Sequence, residues 1–328
     1  MPLPPMRFSP ILKPKVWGGR TLSGLGKHLP EGEAIGESWE LADLPDAIED
    51  GRSRITGGSL DGLTLRDVLT RDAEALLGTT PRSTEGGFPL LLKYLDANDN
   101  LSVQVHPDAE WVAAHPEDHL KSEAWFILDA EPGSLIYAGL KPGVDRETFA
   151  SAIEDGSVVD HLVAIPAVPG ECIYLPSGTC HALGAGVLVA EVQTPSDTTF
   201  RVWDWGRTGR ELHVEPALAC IDFSGRPVQQ PAPPSDTDGD RRTTCFVDVK
   251  HFKIDRVEAL STGMLDVPDL GRPQAFMVLG GNGQLDAEGA VTSLSRGDTV
   301  LLPADRMPFT IEMTEPLDLL MVTMHPAS

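Results

Sequence analysis

Cysteines are few in this chain, and long apolar runs are absent. The 328 residues include four cysteines, whose spacing matches neither a disulfide framework nor a cysteine zinc site: Cys172, Cys180, Cys220 and Cys245. No apolar run reaches the ~20 residues that a membrane-spanning helix needs. The first residues lack the basic and apolar regions of a signal peptide. We therefore expect a reduced, cytoplasmic protein that does not enter a membrane.

Basic residues are also scarce. The chain has 26 lysines and arginines against 49 aspartates and glutamates, which gives a formal net charge of −23. This excess of negative charge argues against nucleic acid and anionic membranes as partners. Only eight of the basic residues are lysines, and two of these, Lys93 and Lys121, fall in strand-like segments. Both are therefore candidates for a functional role.

Short apolar runs bounded by glycine and proline predict strands. They fall at residues 88–94, 102–106, 124–128, 171–175 and 187–192. Two insertions, at about 60–80 and 145–165, have helical patterns instead. In the first, Thr64 fits an N-cap and Gly78 a terminator, and the second is broken at Gly156. The pattern predicts a mainly β fold, a barrel or sandwich with a small helical insertion.

Four side chains are candidates for a metal site. Gln104 and His106 are two residues apart in a strand-like run, so both side chains project from the same face. Glu123 and His181 lie beside two further strand-like runs. Two imidazole nitrogens and two oxygens suit zinc, with Mn²⁺, Co²⁺ or Fe²⁺ also possible on ligand type. Without thiolates, such a site is expected to keep a position open for water or substrate, as catalytic sites do.

Several longer motifs carry a family resemblance. They are the segments 10–19 (PILKPKVWGG), 36–41 (GESWEL), 88–93 (FPLLLK), 104–108 (QVHPD), 121–125 (KSEAW), 191–193 (EVQ) and 197–205 (DTTFRVWDW). With these motifs, about the first two thirds of the chain resembles the type I mannose-6-phosphate isomerases (phosphomannose isomerases), in particular the short bacterial members. One departure is Ser122, where many relatives carry Pro or Thr.

The resemblance implies an aldose–ketose isomerase that interconverts mannose 6-phosphate and fructose 6-phosphate through an enediol(ate). It implies one divalent metal ion, usually zinc, and a monomer or weak homodimer. The expected residues fall into three groups: metal ligands Gln104, His106, Glu123 and His181; catalytic Arg201 and Lys121; and substrate contacts Lys93, Ser102 and Glu191. The proton acceptor stays open between a metal-bound water, Lys121 and Glu191, and Lys121 could instead contact the phosphate.

An internal repeat indicates two barrels of the cupin jelly-roll type. The segment 170–177 (GECIYLPS) reappears as 297–304 (GDTVLLPA), and 124–128 reappears as 275–279. The alignment places Glu123 on Gln274 and His181 on Pro308, whose side chain offers no metal ligand. We therefore expect a catalytic domain at 1–224, a linker or exposed loop at 225–244, rich in Gly, Pro and Asp, and a metal-free second domain at 245–328.

Two other functions fit the same scaffold. An Fe(II) cupin dioxygenase is disfavoured because its usual His-x-His opening is Gln-x-His here, at Gln104 and His106. Lys121 and Arg201 also suit an anionic sugar better than an uncharged substrate. A non-enzymatic cupin that binds sugar phosphates is disfavoured because all the ligand positions and Arg201 are present.

Overall fold

The computed structural model describes residues 1–226, 228 and 233–326. Within these residues the chain forms twenty strands. They are β1 (Met6–Arg7), β2 (Ile11–Gly19), β3 (Ile35–Leu41), β4 (Leu91–Ala97), β5 (Val103–Val105), β6 (Glu123–Ala130), β7 (Leu135–Leu140), β8 (Leu162–Pro166), β9 (Cys172–Leu175), β10 (His181–Leu183), β11 (Val187–Gln193), β12 (Phe200–Trp203), β13 (Ser235–Asp238), β14 (Arg241–Asp248), β15 (Phe252–Ala259), β16 (Gly263–Leu265), β17 (Gln274–Ala287), β18 (Ala290–Leu294), β19 (Thr299–Leu302) and β20 (Thr310–Met324). The fold is therefore mainly β, as predicted.

Helices are short by comparison. The α-helices are α1 (Leu65–Arg71), α2 (Ala73–Leu77), α3 (Ala109–Ala114), α4 (Arg146–Asp155) and α5 (Val214–Cys220), and 3-10 turns occupy Thr21–Leu25, Gly58–Leu60 and Val158–His161. Over the described ranges, none of the helices combines the length and the apolar character needed to cross a bilayer.

Three antiparallel sheets organise the strands. The six-stranded sheet has the order β2-β3-β4-β11-β6-β9, and the five-stranded sheet has the order β12-β5-β10-β7-β8. The nine-stranded sheet has the order β1-β19-β17-β20-β15-β14-β13, with β16 paired to β20 and β18 paired to β17. Apart from β1, this last sheet comes from the C-terminal part of the chain.

Side chains of the six-stranded sheet alternate between two apolar cores. On β6, Trp125 and Ile127 pack into one cluster with side chains of the five-stranded sheet, such as Ile136. Ala124 and Phe126 point the other way and pack with residues of the nine-stranded sheet. This is the period of two expected of a strand. Glu123 has the same parity as Trp125, so it faces the space between the first two sheets.

The predicted helical insertions are observed in part. Thr64 caps α1 through a reciprocal capping box with Asp67, and Gly78 ends α2, as the sequence predicted. In the second insertion, α4 ends at Gly156 in the left-handed conformation, with φ at 81°. The prediction of helix for residues 158–165 was wrong beyond the short turn, because Leu162–Pro166 forms strand β8 and pairs with β7.

The segment 225–244, predicted to be a linker or exposed loop, contains regular structure. Ser235–Asp238 forms β13, and β14 begins at Arg241, so its second half is a strand hairpin. All four residues of β13 are exposed, which explains why no apolar alternation marked it in the sequence. Residues 227 and 229–232 of this segment lie outside the described residues.

The sequence repeat has an equivalent in strand pairing. Glu123 on β6 pairs with Leu175 on β9, and Gln274 on β17 pairs with Leu302 on β19. These are the four positions that the repeat alignment places in correspondence. We call the six- and five-stranded sheets the first β-unit and the nine-stranded sheet the second β-unit. The two β-units therefore share one local register at these strands.

The turns that lead into these paired strands are also equivalent. The Gly170 N–H donates to the Ile127 carbonyl at 2.8 Å, and the Gly297 N–H donates to the Val278 carbonyl at 2.8 Å. Both glycines adopt positive φ, 91° and 93°, a region that favours glycine. Glycine is therefore required at both copies of the turn.

Gln274 provides a test of the repeat comparison. Its Oε1 accepts from the buried guanidinium of Arg306 at 2.9 Å. Replacing Gln274 with Ala should lower the free energy of unfolding by about 1–3 kcal/mol, because a buried donor loses its acceptor. The metal content per chain should stay the same. Urea unfolding and metal analysis check both points, and metal loss in this variant would mean that the second β-unit contributes to the site.

Candidate metal centre and adjoining cavity

Three of the predicted metal ligands converge between the first two sheets. Glu123 is the first residue of β6, His181 is the first residue of β10, and His106 directly follows β5. All three side chains are buried, and one ligand atom from each lies within 4.8 Å of the others. They could therefore hold a metal ion together.

Backbone carbonyls fix the orientation of both imidazoles. His106 Nδ1 lies 3.1 Å from the Thr198 carbonyl, and His181 Nδ1 lies 2.8 Å from the Thr179 carbonyl. Since a carbonyl only accepts, each Nδ1 donates, and Nε2 is the ring nitrogen turned toward Glu123. The two Nε2 atoms lie 3.4 and 3.2 Å from the carboxylate of Glu123. This is how metal-binding histidines are usually held.

The charge states at this cluster favour a cation. Burial, and then the Lys121 ammonium, lower the pKa of His106 to about 3, so its imidazole is neutral at pH 7. Burial raises the pKa of Glu123, but Lys121 and His106 outweigh it and hold that pKa well below its usual range. The cluster therefore offers a neutral imidazole nitrogen from His106 and a carboxylate from Glu123, with the imidazole of His181 beside them.

Unpartnered atoms provide a further test of fit. His106 Nε2 and Glu123 Oε1 are buried, and in the described part of the chain neither makes a hydrogen bond. Lys121 Nζ does form an ion pair with Glu123 Oε2, at 2.7 Å. Buried polar atoms without partners are costly. A divalent ion that accepts nitrogen and oxygen ligands fits this donor set.

Gln104 lies next to the cluster. It pairs with His181 across β5 and β10, and its Nε2 is 3.3 Å from His181 Nε2. Its Oε1 faces the hydroxyl of Ser102 at 3.5 Å. The structure thus brings Gln104 to the three-residue cluster with its amide nitrogen, rather than its oxygen, toward the histidine.

A chain of alternating charges runs outward from Glu123. Lys121 lies 4.0 Å from Glu191 Oε1, and Glu191 Oε2 lies 3.2 Å from Lys93 Nζ. Lys93 is 3.8 Å from Glu37 Oε2, and the other oxygen of Glu37 is 3.1 Å from Lys15. Each lysine of the series therefore has a carboxylate partner.

The pKa values along this chain follow from burial and pairing. Burial raises the pKa of Glu37, but Lys93 and Lys15 outweigh it and bring that pKa to about 2. Burial lowers the pKa of Lys93, yet Glu191 and Glu37 raise it overall. For Glu191, burial dominates and raises the pKa. Glu191 is therefore the carboxyl group of this series most ready to take up a proton.

A cavity of about 290 Å³ opens beside the cluster. The predicted residues that line it are Ser102, Gln104, Lys93, Lys121, Glu191 and Arg201. Arg201 lies on β12 directly opposite Gln104, and its Nη1 donates to the Glu211 carbonyl at 2.8 Å. The predicted catalytic and substrate-contacting residues therefore share one cavity next to the candidate metal ligands.

Sequence reasoning missed several residues that line this cavity. They are Lys15, Trp17, Glu37, Trp39 and Arg210. Two signals in the sequence could have found the first four. Lys15 is one of only eight lysines, and the pairs Lys15–Trp17 and Glu37–Trp39 are each spaced i, i+2 in a strand. Arg210 lies in a loop, and nothing in the local sequence pattern marks it.

Replacing either histidine tests the metal assignment. His106→Ala and His181→Ala should each lower the bound metal well below one equivalent per chain, because only two of the three clustered ligands remain in each variant. Far-ultraviolet circular dichroism should stay close to that of the original chain. His251→Ala, which changes an exposed histidine, is the matched control. A double variant lacking both histidines that keeps a full equivalent of metal would rule out this site.

The low pKa of Glu37 links stability to pH. Since its folded pKa lies below the unfolded value, its contribution is present above about pH 4.5 and is lost as the pH falls toward 2. Glu37→Gln should therefore reduce the free energy of unfolding by up to about 3 kcal/mol at pH 6 and by less at pH 3. Urea unfolding at both pH values measures the difference, and an equal deficit at both would contradict the assigned pKa.

Comparisons with known proteins agree with this geometry. Residues 6–133 match the sequence model of the phosphomannose isomerase type I catalytic domain. Mannose-6-phosphate isomerase ManA of Bacillus subtilis is 31% identical over 318 residues, which cover 94% of this chain and 96% of that protein. The Streptococcus mutans mannose-6-phosphate isomerase is 31% identical over 305 residues, which cover 91% and 92%.

A solved structure extends the likeness to the whole fold. The crystal structure of the Bacillus subtilis mannose 6-phosphate isomerase matches with a TM-score of 0.86 and 29% identity, covering 98% of this chain and 99% of that one. The match therefore extends over all three sheets. From its sequence and its fold, the chain belongs to the type I phosphomannose isomerase family.

Proposed function

We propose that this protein is a metal-dependent aldose–ketose isomerase that interconverts mannose 6-phosphate and fructose 6-phosphate. One observation carries the proposal: the His106–Glu123–His181 cluster adjoins a cavity lined by Lys93, Lys121 and other cationic side chains. Such a cavity suits an anionic sugar even though the chain as a whole has a net charge of −23.

Isomerisation between adjacent carbons develops negative charge on the two substrate oxygens of an enediolate. A divalent ion at the cluster would supply Lewis-acid stabilisation of that charge. We propose zinc for this ion, because two imidazoles and a carboxylate are a common zinc set. Gln104 would complete the set if its terminal amide turned over, a rotation that its broad χ3 torsion allows.

The chain's own residues would handle the remaining charge and the proton. Arg201 lies opposite Gln104 and lines the cavity, so its guanidinium is placed to stabilise the substrate oxygens. Glu191 is buried, lines the same cavity and has a raised pKa, which favours it as the base that moves the proton between the carbons. Lys121 would hold Glu123 ionised.

Two tryptophans of the cavity orient the carboxylates of Glu191 and Glu37. Trp125 Nε1 donates to Glu191 Oε1 at 3.1 Å, and Trp39 Nε1 donates to Glu37 Oε2 at 2.6 Å. Each indole N–H is a fixed donor, so one oxygen of each carboxylate is held in place. The other oxygen of Glu191 faces Lys93. This pre-organisation is what a positioned acid–base group requires.

Four further expectations from the sequence stay proposals. We propose two cupin-type barrels at 1–224 and 245–328, for which the equivalent β6–β9 and β17–β19 registers are the support. We also propose that the protein is a monomer or weak homodimer and that it is cytoplasmic. Ser102, whose hydroxyl faces Gln104 and lines the cavity, would contact the substrate.

The direct test couples turnover of mannose 6-phosphate to the formation of glucose 6-phosphate by an added isomerase. Turnover that disappears after chelation and returns with added zinc is the expected result. An oxygen electrode run on the Fe(II)-loaded protein tests for dioxygenase activity. If metal-replete protein binds mannose 6-phosphate but does not turn it over, the result would instead support a non-enzymatic protein that binds sugar phosphates.

Arg201 provides a sharper test of the mechanism. If its guanidinium stabilises charge that develops in the transition state, Arg201→Ala should lower kcat by about two or more orders of magnitude. Bound metal should not change. Arg201→Lys should recover only part of the rate, because an ammonium cannot reproduce the planar fork. A rise in KM with kcat unchanged would make Arg201 a ground-state clamp instead.

A further inference from the structure

The positive charge of the cavity is not evenly neutralised. On one side, Lys15, Lys93 and Lys121 each face a carboxylate, as described above. The other side is formed by Arg201 and Arg210, which both line the cavity. Asp197 also lines the cavity, but it is exposed to solvent and forms no ion pair with any described residue. Among the described residues that line the cavity, five cationic side chains therefore face three carboxylates, and Asp197 is the carboxylate on the side of the two arginines.

Arg201 has polar partners but no anionic one. Its Nη1 donates to the Glu211 carbonyl, and its Nε is buried without a hydrogen-bond partner among the described residues. The ion pairs of its neighbourhood involve Arg207 and Arg210 instead. Burial, and then the Arg210 guanidinium, lower the pKa of Arg201, which reflects two like charges close together. An anion bound at Arg210 would relieve this repulsion.

Asp204 holds Arg210 in place. Its buried carboxylate accepts from Arg210 Nε at 2.8 Å and from Arg210 Nη2, and it also accepts from Arg207 Nη2 at 2.9 Å. One negative charge thus serves two guanidinium groups. Arg207 has a second partner in Asp99, at 2.9 Å. Arg210 is therefore fixed in orientation yet only partly neutralised, which is the state of a preformed anion site.

We propose that Arg210, oriented by Asp204, binds the phosphate group of the substrate, while Arg201 stays with the substrate oxygens near Gln104. This proposal rests on the proposed function and gives Arg210 the phosphate contact that the family resemblance left open for Lys121. Lys121 is less suited to it, because its ammonium is 2.7 Å from Glu123 and belongs to the metal cluster. A guanidinium fork also matches phosphate oxygens better than an ammonium does.

Steady-state kinetics of Arg210 variants test the proposal. Arg210→Gln should raise KM for mannose 6-phosphate by about 10- to 100-fold, the effect of losing one charge-assisted contact. We expect kcat to stay within about fivefold, because the phosphate is remote from the reacting carbons. Arg210→Lys should recover part of the loss. Metal content should match that of the original chain. The melting temperature should fall, because the buried Asp204 carboxylate keeps only Arg207 as a cationic partner among the described residues, but the variant should stay folded.

A binding measurement separates this proposal from the proposed function. Inorganic phosphate titrated into the zinc-loaded protein, followed by calorimetry, should bind more weakly to Arg210→Gln by about 10-fold or more, whether or not the enzyme isomerises mannose 6-phosphate. Arg71→Gln, which removes one exposed positive charge on α1, is the control for long-range charge. Equal phosphate affinity in the Arg210 variant and the original chain, or an equal loss in the Arg71 variant, would overturn the proposal.

Discussion

The buried carboxylate of Glu123 is the group on which the rest of the site depends. Its side chain has no exposure to solvent, and its strand is paired on both sides, with β9 and β11. Burying a carboxylate is expensive unless cations or strong donors surround it. Lys121, the two imidazole nitrogens and a divalent ion together would meet that requirement. The same requirement predicts no metal at Gln274, the equivalent position in the second β-unit, where an uncharged amide accepts from Arg306.

From Glu123 outward, charge pairing divides the cavity into two parts. Lys15, Lys93 and Lys121 alternate with carboxylates. Their positive charges are therefore largely neutralised by Glu37, Glu191 and Glu123. Arg207 and Arg210 share the buried Asp204, and Arg201 forms no ion pair with any described carboxylate, so part of the positive charge beside the cavity remains available to a ligand. A strongly acidic chain can thus present a cationic surface to a phosphorylated sugar, because local pairing rather than net charge sets the potential inside a cavity.

Much of this arrangement was predictable from the sequence. Strand parity and motif order indicated His106, Glu123 and His181, and the repeat placed Gln274 opposite Glu123 in the alignment. Strand β8 was missed because residues 158–165 have an apolar spacing that also fits a helix, and β13 because its four residues are all exposed. Arg210 could not be predicted, because a loop residue acquires its position from tertiary contacts such as that with Asp204. Glu37 and Lys15 could have been predicted. Each is spaced i, i+2 from a tryptophan in its strand, the same spacing that indicated Gln104 and His106.

Zinc K-edge X-ray absorption on the purified, zinc-loaded protein tests the central claim most directly, because it shows the ligand atoms themselves. The account predicts one zinc per chain, with nitrogen and oxygen ligands at about 2.0–2.2 Å and the multiple-scattering signature of two imidazoles. A sulfur ligand at about 2.3 Å, or a spectrum without imidazole scattering, would contradict a metal centre built on His106, Glu123 and His181.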